Sequence, residues 1–368
     1  MESGLAPGCV QRCRGCAHRL LPETESLHQK REFLEKCLGS LWPHCVSIEG
    51  PETAARLGYR QKSLLSVADG KIGMMIKAGS RTEEDEVLEI PECPVHSPQV
   101  NQIADLIRKK FPSSIPLVFL SQMGNLVGLV IKEKRTSERL LEVEQWVKSL
   151  DLSAYPKLGI YLNFNPSAGN RVFFTKGWVH IFGEVDGQTE IFGHLFLHGP
   201  SGFMQVHPRL YESAIRQVEK FFQSPAVIDL YSGLGISLWR WNKNSKTTIG
   251  VELSEESIRY GKKNGIENVL QGKCEERLPQ LTHFLESQSE TDVFCNPPRS
   301  GLESFVIDWM IESRTQIQRL AYLSCSPGTL SRDLELLVKG GYRIVSINAY
   351  DFFPQTQHVE TLILLESS

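Results

Sequence analysis

From residue 207 onward, apolar strand-like runs alternate with amphipathic helical segments: PRLYESAIRQVEKFF, AVIDLYSG, TTIGVEL, SEESIRYGKKNG, NVLQGKC, DVFCNPP, SFVIDWMIES, RLAYLSC, DLELLVKGG and YRIVSINAYDFF. A strand apolar at nearly every residue has to be buried on both faces, and helices set between successive strands supply the cover. The alternation predicts an α/β, doubly wound parallel sheet over residues 201–368. Between about 55 and 200 the period is mostly that of half-buried strands, in pieces such as KSLLSVADGKIGMMIKA, LVFLSQMGNLVGLVIKE, KLGIYLNFN and RVFFTKGWVHIFGEV. Turns rich in Gly, Asn and Asp separate these pieces, with helical patterns near 97–110 and 138–149. Residues 1–200 are therefore expected to form an α+β domain of hairpins ahead of the second domain.

A chain of 368 residues, 41% hydrophobic and 23% charged, is long enough to give each domain its own core. No basic-then-apolar leader stands at its start, and no apolar run approaches the roughly 18 residues that span a bilayer. A cytoplasmic protein without membrane contact is expected, and nothing points to an obligate protein partner. Nine cysteines without an export signal argue for reduced thiols, a metal site or a nucleophile rather than a disulfide framework. A net charge of -3 leaves nucleic acid open as a partner, because a local basic face is what matters. Arg108, Lys109 and Lys110, or Lys132, Lys134, Arg135 and Arg139, could supply such a face or simply be the solvated side of a helix or hairpin.

In VIDLYSGLG a buried strand carries Asp229 near its end and runs through Tyr231 into the small-residue loop Ser232-Gly233-Leu234-Gly235. Glycines there let backbone approach a ligand at the carboxyl edge of the sheet. The next strand ends in Glu252, about 20 residues on, where a carboxylate can accept both hydroxyls of a ribose. The third glycine that seats a pyrophosphate is missing, and Ile236-Ser237 follows directly. S-adenosylmethionine carries no phosphate and suits this shorter loop better than a dinucleotide.

In DVFCNPPRSGL two prolines stiffen the exit of an apolar strand, so that Asn296 and Arg299 are presented at the cofactor mouth. LSCSPGTL places Cys325 at the end of the next strand, on the same edge as Asn296. A thiol there is either core packing or a nucleophile. Near the C-terminus FFPQTQHVETLILLE offers Glu360, with His358 close by, immediately before the last apolar run; beside a nucleophile it is a candidate proton acceptor. At the other end of the chain Cys9, Cys13 and Cys16, with Cys93 in IPECPVH, provide four sulfur ligands. Such a set holds either zinc or a [4Fe-4S] cluster, and spacing does not choose between them.

Taken in order, DLYSGLG, GVE, CNPPRSGL, LSCSPGTL and FPQTQHVE resemble the catalytic domain of the S-adenosylmethionine-dependent RNA uracil-5 methyltransferases. The resemblance implies a Rossmann-like methyltransferase domain preceded by an RNA-contacting α+β domain. By the same resemblance Cys325 is the nucleophile that adds to uracil C6, and Glu360 is the base that removes the C5 proton. Gln205, Tyr231, Gly233, Glu252 and Asn296 are implied to line the cofactor pocket. GFMQVHP implies Phe203 near the base, and Phe203, Arg299, Arg60 of YRQKS and Asn165 of LNFNPSAGNRV are the expected substrate contacts, with Lys62 beside them. Many members of the family have Asp where this chain has Asn296, which leaves an amide to read the N3-H or O4 edge of uracil.

Several members carry a cubane cluster on an N-terminal Cys triplet plus a downstream Cys-Pro, which implies [4Fe-4S] on Cys9, Cys13, Cys16 and Cys93, with zinc as the alternative. The chain is similar in layout to the branch that lacks an N-terminal oligonucleotide-binding barrel and modifies 23S ribosomal RNA; transfer RNA is the runner-up substrate. Two other readings compete. One is methylation of a base nitrogen through Asn296-Pro297-Pro298, and the other is an RNA-binding protein built on the cysteine site with a degenerate methyltransferase domain.

Overall fold

The computed structural model describes residues 4–52, 55–77, 85–167, 172–244 and 246–368. After an N-terminal loop the chain forms helix α1 (Glu23–Leu38) and strand β1 (Cys45–Glu49), then β2 (Lys62–Ala68), β3 (Lys71–Ile76), β4 (Glu86–Glu89) and α2 (Pro98–Lys110). β5 (Leu117–Met123), β6 (Leu126–Ile131), α3 (Ser137–Lys148), β7 (Gly159–Phe164), β8 (Trp178–Gly183), β9 (Gly187–Ile191) and β10 (His194–His198) follow. The alternating part comprises α4 (Pro208–Phe221), β11 (Ala226–Leu230), α5 (Ile236–Lys243), β12 (Thr247–Glu252), α6 (Glu255–Lys263), β13 (Val269–Gln271) and α7 (Cys274–Glu286). It ends with β14 (Thr291–Cys295), α8 (Ser304–Glu312), β15 (Ile317–Ser324), α9 (Pro327–Lys339), β16 (Tyr342–Tyr350) and β17 (Glu360–Ser367).

Two compact units result. The first holds Met1–Leu20, Thr53–Glu190 and Leu197–Val206, and the second Leu21–Glu52, Ile191–Phe196 and His207–Ser368. A single cut near residue 200 therefore misplaces residues 21–52. β1 pairs in parallel with β16 from the far end of the chain, and α1 packs against α9, so the segment belongs with the C-terminal sheet.

In the first unit seven strands lie in the order β4-β3-β2-β5-β6-β7-β8, antiparallel except where α3 crosses over between β6 and β7. Val100, Ile103 and Ile107 of α2 recur at helical spacing and are buried. Ile103 and Ile107, with Val143, Trp146 and Val147 of α3, form a core against Val127, Leu129, Ile131, Ile160 and Leu162. The two helices lie where the sequence periodicity puts them.

The second unit is one eight-stranded sheet in the order β1-β16-β17-β15-β14-β11-β12-β13. β11 lies between β12 and β14 with all pairs parallel, so strand order reverses there, the position at which open α/β sheets bind ligands at their carboxyl ends. The sheet is mixed, which corrects the parallel expectation: β17 inserts antiparallel between β15 and β16. No helix separates β16 from β17, and a strand that returns without a crossover has to run antiparallel. Among the described residues no helix is long and apolar enough to cross a membrane.

Candidate active site

β11 delivers Asp229 fully buried, where it accepts a hydrogen bond from Ser237 Oγ of α5. Burial lifts its carboxyl to about 7, against the Ser237 bond that favours the charged form, and the nearby Glu252 adds to the rise. Three left-handed residues follow closely: Tyr231 at φ 60°, Gly233 at 58° and Gly235 at 75°. A side chain at Gly235 would meet Ile266 at 3.0 Å, so glycine is required there on both counts. Tyr231 is not a glycine, and its strained backbone is accompanied by a hydrogen bond from its hydroxyl to the Glu303 carboxylate. Glu252, at the end of β12, accepts from the Gly233 amide at 2.8 Å and the Ser254 amide at 2.6 Å. The structure thus brings Tyr231, Gly233 and Glu252 together around one loop. Half-buried Asn296 leaves β14 beside them, its backbone N–H directed at the Leu230 carbonyl at 3.4 Å.

The loop after Asn296 is fastened by α9. Thr329 Oγ1 donates to the Arg299 carbonyl at 3.1 Å and Arg332 to the Ser300 carbonyl at 3.0 Å. Asp333, fully buried, accepts from the Leu302 amide and the Tyr322 hydroxyl, each at 2.9 Å. A Cβ at Gly301, whose φ is 81°, would sit 2.5 Å from the Asp333 carboxylate. The sequence reading missed Asp333, although the signal is present: it falls on the buried stripe Leu330, Leu334, Leu337 of an otherwise ordinary amphipathic helix.

Cys325 and Glu360 come together through strand register. β15 and β17 pair Ser324 with Thr361, so one step further Cys325 stands opposite Glu360, the first residue of β17. Glu360 is only 5% exposed. Burial pushes its carboxyl up to about 7, with the Arg299 guanidinium opposing the rise. Burial also raises the half-buried Cys325 thiol, and the Glu360 charge raises it further; Arg299 pulls it back through its charge and a hydrogen bond. Cys325 immediately precedes the first turn of α9, a position that favours a thiolate. A half-buried thiol, a carboxylate of raised pKa and the Arg299 guanidinium thus share the carboxyl edge of the sheet.

The remaining expected residues lie in the first unit. Phe203 is 59% exposed, with the Lys62 ammonium 5.0 Å from its ring centre, and Gln205 is half-buried. Asn165 corrects the expectation of a substrate contact. It is fully buried, its amide donates to the Val172 carbonyl at 2.9 Å, and its oxygen accepts from the Ser167 amide at 3.2 Å. Residues 168–171 of the same stretch lie outside the described residues. Arg60 stands beside the Cys16 thiol and His96, within the cysteine neighbourhood. Of the basic clusters, Arg108 pairs with Glu89 at 3.2 Å and with Asp105, Lys109 pairs with Asp105, and Arg139 pairs with Glu133 and Glu142. These charges belong to helix faces already supplied with acidic partners.

The Cys9 and Cys16 thiols both feel the charges of Cys13 and Cys93. Burial lifts Cys16 to about 11, with the charges of Cys93, Cys13 and Cys9 adding and that of Arg60 opposing. Burial also raises Cys9, with Arg19 opposing and Cys13 and Cys93 adding. Arg19 holds the loop backbone by donating to the carbonyls of Gln11 at 3.0 Å and Cys13. Among the described residues, no three metal-ligating side chains are gathered closely enough to form a metal site as they stand. The donor set fits a thiolate-bound metal in chemistry and neighbourhood, though not in coordination spacing.

The family described as tRNA (Uracil-5-)-methyltransferase matches residues 276–368, the part that carries Asn296, Cys325 and Glu360. An RNA methyltransferase of Enterococcus faecalis is 30% identical over 83% of this chain and 71% of its own. The 23S rRNA (uracil(1939)-C(5))-methyltransferase RlmD of Vibrio cholerae is 26% identical over 98% of this chain and 81% of its own. The fold is that of the Pyrococcus abyssi tRNA (uracil-54, C5)-methyltransferase solved with S-adenosyl-L-homocysteine, at a TM-score of 0.74 and 21% identity over 96% of this chain and 86% of that one. Similarity sustained over most of both chains, with the motif-bearing C-terminal quarter recognised in its own right, means that the chain belongs to the S-adenosylmethionine-dependent RNA uracil-5 methyltransferase family.

Proposed function

We propose that this enzyme methylates C5 of a uridine in 23S ribosomal RNA through a covalent adduct formed by Cys325 and resolved by Glu360. The observation that carries the reading is the β15–β17 register, which sets residue 360 against residue 325. S-adenosylmethionine supplies an electrophilic methyl group on a sulfonium sulfur. The Cys325 thiolate bonds to C6 of uracil and drives an electron pair toward C5 and O4, so that C5 can capture the methyl as the methyl–sulfonium bond breaks and leaves its pair on that sulfur. The C5 proton then passes to the Glu360 carboxylate. Its former bonding pair restores the C5=C6 double bond, and the C6–S bond breaks with its pair returning to sulfur. Arg299 steadies the thiolate against the repulsion of Glu360.

For the cofactor, Glu252 accepts from the ribose hydroxyls, and Gly233, Tyr231 and Asn296 complete the pocket. Phe203 stacks on the extruded base, a common way to hold an unstacked nucleotide. Cys9, Cys13, Cys16 and Cys93 hold a [4Fe-4S] cluster, with zinc as the alternative; the mutual influence of the thiols supports this. The methyl transfer moves no electrons, so the metal serves the structure of the loop. A cytoplasmic site of action accompanies an RNA substrate.

Two experiments test these assignments. Nucleosides from ribosomal and transfer RNA of cells lacking the gene are digested and weighed by mass spectrometry. Loss of one 5-methyluridine from 23S rRNA is the expected outcome. Loss from tRNA instead moves the assignment to the second reading, which the P. abyssi neighbour favours. For the metal, anaerobically purified protein should carry roughly four iron atoms and matching sulfide per chain, and Cys93→Ala should lose them. Stoichiometric zinc without iron selects the alternative, and a metal-free wild-type protein removes both.

A further inference from the structure

Lys30 lies on the buried stripe Ser26, Lys30, Leu34, Leu38 of α1, an apolar position where a lysine is costly. Its ammonium pairs with the Asp351 carboxylate, and neither side chain has any exposure. The same ammonium donates to the Phe353 carbonyl at 3.2 Å. That carbonyl is a hub, because the Thr356 amide donates to it at 3.1 Å and Thr356 Oγ1 at 2.8 Å. Thr356 Oγ1 in turn accepts from the His358 amide at 3.2 Å. The Asp351 amide is anchored separately on the Glu49 carbonyl at 2.8 Å. Gln355 takes a left-handed φ of 69° between these bonds, so the connection is drawn into one tight shape. It ends at Glu360.

We propose that Lys30 is a positioning residue for the proton-accepting carboxylate: by tying Asp351 to the Phe353 carbonyl it fixes the connection that aims Glu360 at the C5 proton. The inference rests on the reading of Glu360 as the base. A fully buried ion pair is weak evidence for stability, since well-packed apolar residues often replace one without loss. Its retention directly upstream of Glu360 is explained by geometry, because a shift of about 1 Å in a catalytic group can cost on the order of a hundredfold in rate. Lys30, with no exposed surface of its own, acts through the backbone it ties. Its effect is confined to the proton-removal step, while thiol addition depends on Cys325 and Arg299.

The test uses the full chain with Lys30→Met and Asp351→Leu combined, so that no charge is left buried alone. The double variant is expected to keep its thermal transition and to form the covalent complex with 5-fluorouridine RNA at the native rate. That complex needs no proton removal. Turnover on uridine RNA is expected to fall about 10- to 100-fold, with the uridine adduct accumulating as a denaturant-stable protein–RNA band. Native turnover, or turnover and fluorouridine trapping lost in parallel, overturns the proposal. Thr356→Val, which removes a second donor from the same carbonyl, is expected to give a smaller accumulation of the same adduct. It decides the matter should the double variant not fold, and native turnover in it overturns the proposal. Glu360→Gln is run alongside: if that variant turns over normally the base assignment itself fails, whereas slow Glu360→Gln with a native double variant refutes the role of Lys30 alone.

Discussion

Cys325→Ala is expected to form no covalent complex with 5-fluorouridine RNA and to lose methyl transfer to uridine by about 10⁴-fold or more, the scale on which removal of a nucleophile acts. The measurement is a denaturing gel for the complex and transfer of a labelled methyl group from S-adenosylmethionine. Equilibrium binding of the cofactor should be unchanged, because the bonds that shape its pocket run among Gly233, Glu252 and Ser254 and do not involve the thiol. The result separates the three readings of the sequence. A base-nitrogen methyltransferase working through Asn296-Pro297-Pro298 keeps its activity without Cys325, and an RNA-binding protein with a degenerate domain binds no cofactor in either form. Because burial and Glu360 both raise the thiol, adduct formation in the native enzyme should accelerate toward alkaline pH, and replacing Arg299 by Gln should move that rise higher still.

Glu360→Gln is expected to behave differently. Addition and methylation proceed, proton removal stalls, and the adduct with ordinary uridine RNA accumulates while turnover falls about 10²- to 10⁴-fold. The pH profile follows from the raised carboxyl. Below about 7 Glu360 is mostly protonated and cannot accept the C5 proton, so native turnover should climb as pH rises through that value. The groups facing it are Cys325, whose thiolate disfavours its ionisation, and Arg299, which favours it. In Glu360→Gln the climb that belongs to the carboxylate should vanish. A glutamine enzyme with native turnover and no accumulated adduct would remove Glu360 from the mechanism.

Local patterns made much of this site readable. The glycine loop, Glu252, Asn296-Pro-Pro-Arg299 and Cys325 each lie at the carboxyl end of a strand, so fixing the strands also fixed their edge. α2 and α3 were legible from helical spacing of apolar residues. What stayed hidden depends on partners distant in sequence. Nothing in residues 45–49 announces that they pair with β16, and nothing local to β17 gives its direction. Asn165 was misread because β7 before it is buried at all six positions, so a polar residue there does not mark a solvent face. Lys30 and Asp333 went unnoticed because their partners are distant in sequence: each is a charged residue on an apolar stripe that marks a buried contact.

The pairing of β1 with β16 also bears on how the chain matures. Ser47 finds Asn348 as its neighbour, and Ile48 finds Ala349, so one edge of the C-terminal sheet cannot close until β16 has left the ribosome. Contacts so far apart in sequence form slowly, and the waiting segment leaves apolar surface uncovered meanwhile. Nascent α1, with Leu34 and Leu38 still lacking their partners on α9, is then the stretch on which a holding chaperone would act.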